Sequence, residues 1–176
     1  MSTAPNLTST DSPEQSGPPW HRLSISCLVI LAVIAASWAL EVFILRDYAQ
    51  GRHHLVGPLW IALTYNSGAS FSLLQGSAWL PALLSGLVTL AMALVLWRSR
   101  SWLLTMGGSL VVGGGLANLR DRFLGGHHGS VADYLWTSFW PTFNLADSAI
   151  TLGIVLVLLS ILLPGLGAER GRMVHG

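Results

Sequence analysis

The chain has 176 residues, of which 52% are hydrophobic and 10% charged, with a formal net charge of +1. A soluble domain would carry about 25% charged residues, so a water-covered globule is excluded and lipid is the expected covering solvent. The nine basic residues are all Arg and form no basic patch, which argues against a nucleic-acid partner; the one cysteine, Cys27, excludes an intramolecular disulfide.

Residues 1–19 are rich in Ser, Thr and Pro and read as a disordered N-terminal tail. Residues 20–167 form the expected membrane domain, and 168–176 a short C-terminal tail on the cytoplasmic side. A spanning helix needs roughly 20 mostly apolar residues, and four stretches qualify: 23–45, 79–97, 102–119 and 145–163. The first opens like the core of a cleaved signal peptide, ending in the small residues Ala35, Ala36 and Ser37. The apolar run resumes at Trp38 and continues to Leu45, too long for such a core, so it reads as an anchor. The third carries Gly107, Gly108 and Gly113 to Gly115. In water those glycines argue against a helix; in a membrane they let neighbouring helices approach, which predicts the packed central helix.

Four spans place both termini on one side, together with Arg22, Arg98, Arg100, Arg170 and Arg172; Arg46, Arg52, Arg120 and Arg122 fall on the other. Five against four favours cytoplasmic termini under the positive-inside rule. Trp20, Trp79, Trp97, Trp102 and Trp140 stand near span ends, as interfacial aromatics do. The outer face then receives the two long polar connections, 46–78 and 120–144, and any chemistry belongs there. In the first, the alternating stretch Leu59-Trp60-Ile61-Ala62-Leu63 predicts an extended platform.

Five of the eight acidic residues, Glu41, Asp47, Asp121, Asp133 and Asp147, gather at the outer ends of spans one, three and four or between them. Ionisable groups at membrane depth need a partner or a purpose. Asp147 follows Asn144 by three residues at the start of span four. That spacing fits a helix cap, and it also puts both residues on one helix face; a cap and a catalytic carboxylate are compatible. Asp133 lies 14 residues earlier in a Gly/His-rich loop, where most carboxylates are merely solvated. The loop is long enough to return Asp133 to the start of span four. Two carboxylates in near contact share one proton, and such a pair can activate a water and protonate a leaving amine without a metal. His53-His54 and His127-His128 lack metal-ligand spacing, and neither a nucleophile elbow nor a phosphate loop is present. No metal or cofactor is expected.

Three segments together resemble the lipoprotein signal peptidase (signal peptidase II) family. Asn66-Ser67-Gly68-Ala69-Ser70-Phe71-Ser72 is similar to its Asn-x-Gly-Ala-Ala-Phe-Ser segment. Gly114-Gly115-Leu116-Ala117-Asn118-Leu119-Arg120-Asp121-Arg122 is similar to Gly-Gly-Ala-x-Gly-Asn-x-x-Asp-Arg. Phe143-Asn144-Leu145-Ala146-Asp147-Ser148-Ala149-Ile150 is similar to Phe-Asn-x-Ala-Asp-Ser-x-Ile nearly residue for residue.

The resemblance implies an all-α membrane protein of four transmembrane helices with a small extended or β platform in the first outer connection. It implies an aspartic endopeptidase of the bacterial cytoplasmic membrane, with its active site near the outer face. Such an enzyme removes signal peptides from prolipoproteins, cutting before the lipobox cysteine once that carries diacylglycerol. The implied catalytic pair is Asp133 and Asp147. Asn66, Gly68, Asn118, Asp121, Arg122 and Asn144 would support the site or hold substrate, with Asp121 and an Arg as a positioning pair. The partners are those prolipoproteins and membrane lipid; the oligomeric state is left open.

Three positions depart from the family pattern. Its Asp-Gln-x-x-Lys late in span one becomes Glu41-Val42-Phe43-Ile44-Leu45, with Arg46 next door; a Gly becomes Ala117; and the connection from Asp121 to Asp133 is longer and holds His127-His128. Two rivals stand beside the enzyme: a catalytically silent lipoprotein-binding relative, and a proton-coupled transporter using Glu41, Asp121 and Asp147 as a relay.

Overall fold

The computed structural model describes residues 20–68 and 79–163. The expected tails, 1–19 and 168–176, lie outside the described residues, as do the Ala69 to Ser72 half of the first motif and the rest of the connection to residue 78.

Four helices are long and apolar enough to cross a membrane: α1 (Trp20–Asp47), α2 (Trp79–Trp97), α3 (Trp102–Leu124) and α4 (Leu145–Leu162). In α3, 56% of the spanning window is buried within the protein, against 17%, 17% and 11% in α1, α2 and α4. The glycine-rich helix is therefore the centre of the bundle, and the other three show lipid most of their Leu, Val and Ile side chains. Its small residues permit that packing. A Cβ on Gly107 would stand 2.7 Å from the Gly153 carbonyl oxygen, and one on Gly114 would stand 2.7 Å from Ile150 Cγ1. Backbones this close need residues without side chains. Polar groups inside α3 turn back on the helix: Ser109 Oγ donates to the Thr105 carbonyl at 2.6 Å, which satisfies a hydroxyl that lipid cannot.

One correction concerns the outer end of α3. The expected span stops at residue 119, but the helix runs five residues further to Leu124 and is capped when Gly125 N–H donates to the Asp121 carbonyl at 2.9 Å. Arg120, Asp121 and Arg122 are thus helical. The apolar run ends where hydrocarbon ends, whereas the backbone stays helical as long as its charged side chains find partners.

Four strands cover this end of the bundle: β1 (His53–Val56), β2 (Leu59–Asn66), β3 (Val131–Thr137) and β4 (Trp140–Phe143). They form one antiparallel sheet in the order β1-β2-β3-β4. The platform expected in the first outer connection is there as β1 and β2, and the second connection completes it with β3 and β4. Asp133 consequently sits on a strand, not in a loop. Irregular register between His54 and Val56, Ile61 and Thr64, and Leu135 and Thr137 bends the sheet, as bulges do. The bend is strong enough for Thr64 Oγ1 on β2 to reach Thr142 Oγ1 on β4 at 3.1 Å, over the intervening β3. Pro141 is tolerated because β4 is an edge strand. Ile44 of α1, Ile61 of β2 and Tyr134 of β3 form a buried cluster, flanked by Leu40, Tyr48, Leu63 and Leu135, that fastens the sheet to α1.

Candidate active site

The curved sheet brings Asp133 over the start of α4. Asp133 pairs with Thr64 across the β2–β3 ladder, so its carboxyl shares a face with Thr64 and, two residues on, Asn66. Asn66 Nδ2 donates to Asp133 Oδ2 at 2.9 Å. The Asn66 amide is fixed from behind, because its Oδ1 accepts the Gly68 N–H at 2.8 Å. Gly68 adopts φ +81, and a Cβ there would run into the Pro81 ring. That left-handed backbone beside a proline suits glycine.

Asp147 stands in the first turn of α4 as half of a capping box. Asn144 Oδ1 accepts from Asp147 N–H at 2.9 Å, and Asp147 Oδ2 accepts from Asn144 N–H at 3.1 Å. The other oxygen, Oδ1, accepts from Asn118 Nδ2 of α3 at 2.8 Å. The cap reading and the site reading thus hold for the same residue.

Asn144 joins the two acids. Its Nδ2 donates to Asp133 Oδ1 at 2.9 Å and to Asn118 Oδ1 at 3.1 Å, while its backbone N–H holds Asp147. Each amide orientation follows from these donors and acceptors, with no free choice of flip. Asn66, Asp133, Asn144, Asn118 and Asp147, in that order of contact, therefore form one continuous hydrogen-bonded track through β2, β3, α4 and α3.

Asp133 is 2% exposed. Burial, and next the charge of Asp147, push its carboxyl up to about 6, against the opposing pull of Asn66, Asn144 and Arg122. Burial disfavours the charged form of this carboxyl, and the neighbouring carboxylate adds to that in the same direction. Tyr134, next along β3, is pushed up to about 12 chiefly by burial; its Oη accepts the Leu145 N–H at 3.2 Å and ties β3 to the first turn of α4. Arg122 faces Asp133, Asp147 and Asp121 electrostatically, and its Nη1 donates to the Gly129 carbonyl at 2.9 Å, bracing the turn that precedes β3. An open groove of about 360 Å³, lined by Thr64, Tyr65, Asn66, Ser67, Pro141 and Thr142, leads to Asp133.

Of the eight residues singled out from sequence, Asn66, Asn118, Asp133, Asn144 and Asp147 form the track, Gly68 buttresses it, and Arg122 faces it. Asp121 does not touch it. Its arginine partner, left open by the sequence, is Arg120, at 2.9 Å. Arg120 also forms an ion pair with Glu41 of α1. Arg120 was not singled out as a site residue from the sequence, although a signal was there: Glu41, buried in a span, required a cation, and Arg46 at the helix end is not it. Thr64, Thr142 and Tyr134 carried no signal short of knowing the curvature of the sheet.

A family model described as Signal peptidase (SPase) II matches residues 28–163. The lipoprotein signal peptidase of Syntrophomonas wolfei is 38% identical over 148 residues, spanning 84% of this chain and 95% of that one. That of Pseudomonas aeruginosa is 39% identical over 173 residues, spanning 90% and 94%. Two solved structures, each described as a bacterial membrane enzyme, share the fold. One has a TM-score of 0.69 at 22% identity, covering 86% of this chain and 95% of the other. The second has 0.71 at 23%, covering 80% and 94%.

Proposed function

The chain belongs to the signal peptidase II family, and from that premise we propose that it removes signal peptides from prolipoproteins by an aspartic mechanism centred on Asp133 and Asp147. The single observation that carries the mechanism is Asn144, whose side chain holds one carboxylate and whose backbone holds the other.

The shared proton resides on Asp133, and Asp147 takes a proton from a water lying between them. The water oxygen bonds to the scissile carbonyl carbon while Asp133 gives its proton to the carbonyl oxygen. In the tetrahedral intermediate the C–N bond breaks as Asp147 passes its proton to the leaving amine. The new carboxyl forms as a hydroxyl proton returns to Asp133, so the pair ends as it began. General acid–base steps of this kind contribute about 10²–10⁴-fold each.

The proposed substrate is the diacylglyceryl-modified precursor, cut before its lipobox cysteine. The scissile peptide reaches Asp133 along the Thr64–Thr142 groove, while acyl chains and signal helix stay in lipid against the exposed apolar faces of the bundle. The family match does not favour a transporter or a silent lipoprotein-binding relative.

The test is cleavage of a diacylated prolipoprotein by membranes carrying Asp133→Asn or Asp147→Asn. Each substitution is expected to reduce turnover by about 10³-fold or more with the protein still folded. Wild-type turnover in both would remove the aspartic assignment.

A further inference from the structure

We propose that Arg120 is a positioning residue for this reaction: from α3 it serves as the basic partner of the buried α1 carboxylate Glu41, and so fixes the sheet that carries Asp133 against the helices that carry Asn118 and Asp147.

The Glu41 side chain is 6% exposed. A carboxylate so placed costs several kcal/mol unless it is paired. Helix α1 supplies no partner. Position 45, one turn further on the same face, is Leu, and the Arg46 side chain is 83% exposed beside Asp47 at 3.7 Å. Arg120 Nη1 donates to Glu41 Oε2 and to Asp121 Oδ1, and its guanidinium lies over the Trp38 ring at 5.7 Å. Asp121, Tyr134 and His127 also face Glu41, the His127 Nε2 lying 3.9 Å from Oε1. One planar cation therefore clamps α1 to α3 at the depth of the proposed catalytic pair, a task for which a guanidinium fork is well shaped.

What the clamp holds gives it a catalytic consequence. On α1, three residues past Glu41, Ile44 packs against Tyr134, the neighbour of Asp133. On α3, Asn118 and Arg122 flank Arg120 two residues to either side; Asn118 holds Asp147. The His127 ring stacks on Tyr65 with centroids 4.5 Å apart, next to the Asn66 that holds Asp133. A slip of α1 along α3 would thus move Asp133 relative to Asp147. Misplacement of about 1 Å costs as much as about 10²-fold in rate.

The inference rests on the family reading of the site, and it can be tested by moving the cation. A Lys at position 45 would lie four residues from Glu41 on one helix face, within pairing reach. The full-length protein, its Arg120→Ile variant and the Leu45→Lys/Arg120→Ile double variant are assayed on a diacylated prolipopeptide, with thermal unfolding measured in parallel. Arg120→Ile is expected to lower kcat about 10- to 100-fold with KM changed less than about twofold, and the added Lys to recover most of that loss. Wild-type kcat in Arg120→Ile, or a double variant as slow as the single one, overturns the proposal. If Arg120→Ile fails to fold, the double variant must still fold and cleave, and its failure is equally decisive. Cleavage is scored whichever groups activate the water. A failed rescue therefore leaves the aspartic assignment standing, and an active Asp133→Asn enzyme leaves the rescue standing.

Discussion

Asp133 shows what a single buried carboxyl imposes on the protein around it. Its value of about 6 lies above the ordinary 3.8, so between those values the folded protein binds a proton that the unfolded chain releases. Stability from this group is therefore full below about pH 4 and is lost as pH rises through 6, and the raise corresponds to on the order of 3 kcal/mol. Asparagine at 133 cannot titrate, although it meets two amide donors where the carboxylate met two. Thermal unfolding in detergent from pH 7 to pH 4 is expected to show the wild type gaining on Asp133→Asn as pH falls; a constant difference would mean that Asp133 is already ionised throughout. Under the proposed mechanism the same proton also governs rate. Turnover requires one proton on the pair, so kcat/KM is expected to decline as pH rises past about 6. The decline in kcat should lie at higher pH, because the proposed substrate would bring acyl chains beside the pair, exclude water and disfavour its second charge. A kcat/KM profile flat from pH 5 to 9 would contradict this.

At the scale of elements, the helix pair α3–α4 sets the distance from Asn118 to Asp147, and glycine sets the distance between those helices. A Cβ on Gly114 would stand 2.7 Å from Ile150 Cγ1 and also press on the Ala146 carbonyl, immediately before Asp147. Gly114→Ala is expected to cost about 1–3 kcal/mol, as overpacking does, and to lower turnover more than stability alone explains. Gly86→Ala on α2 meets nothing within 4 Å and serves as the neutral comparison; equal effects from both would remove the packing argument. Much of this level was legible in the sequence. Apolar length marked four helices, the glycines marked α3 as central, and the Asn144–Asp147 spacing marked the cap. The strands β3 and β4 were not legible, because a buried strand of seven residues following Gly125-Gly126-His127-His128-Gly129 has the composition of a loop until its pairing with β2 is known. Nor was the choice of Arg120 over Arg122 as partner of Asp121, which depends on helix phase beyond the apolar run. Local pattern fixes an element's type, whereas the pairing of charges is decided by three-dimensional proximity.

The whole molecule is asymmetric across the membrane: the sheet, the acid pair and its groove lie at one end of the bundle, and the short Trp97–Trp102 connection lies at the other. Counted from sequence alone, arginines divide five to four between these ends. The structure explains the narrow margin. Arg120 is engaged by Glu41 and Asp121, and Arg122 by the Gly129 carbonyl; both are parts of the site, not free loop charges. Setting them aside, and with them Arg22, which is buried in α1 over the Trp102 ring, leaves Arg46 and Arg52 against Arg98 and Arg100 and, counted from sequence, Arg170 and Arg172, a bias under a rule that concerns charges in short flanking loops. We propose on that count that the end bearing the sheet is the outer one, which is where a precursor's lipid-modified cleavage site would arrive after export. Cysteine labelling tests the assignment. In a Cys27→Ser background, Ser138→Cys in the exposed turn between β3 and β4 is expected to react with a membrane-impermeant maleimide on intact cells, whereas Arg100→Cys reacts only after permeabilisation. The opposite pattern would place Asp133 and Asp147 on the cytoplasmic face, out of reach of an exported precursor, and would overturn the orientation together with the proposed route of the substrate.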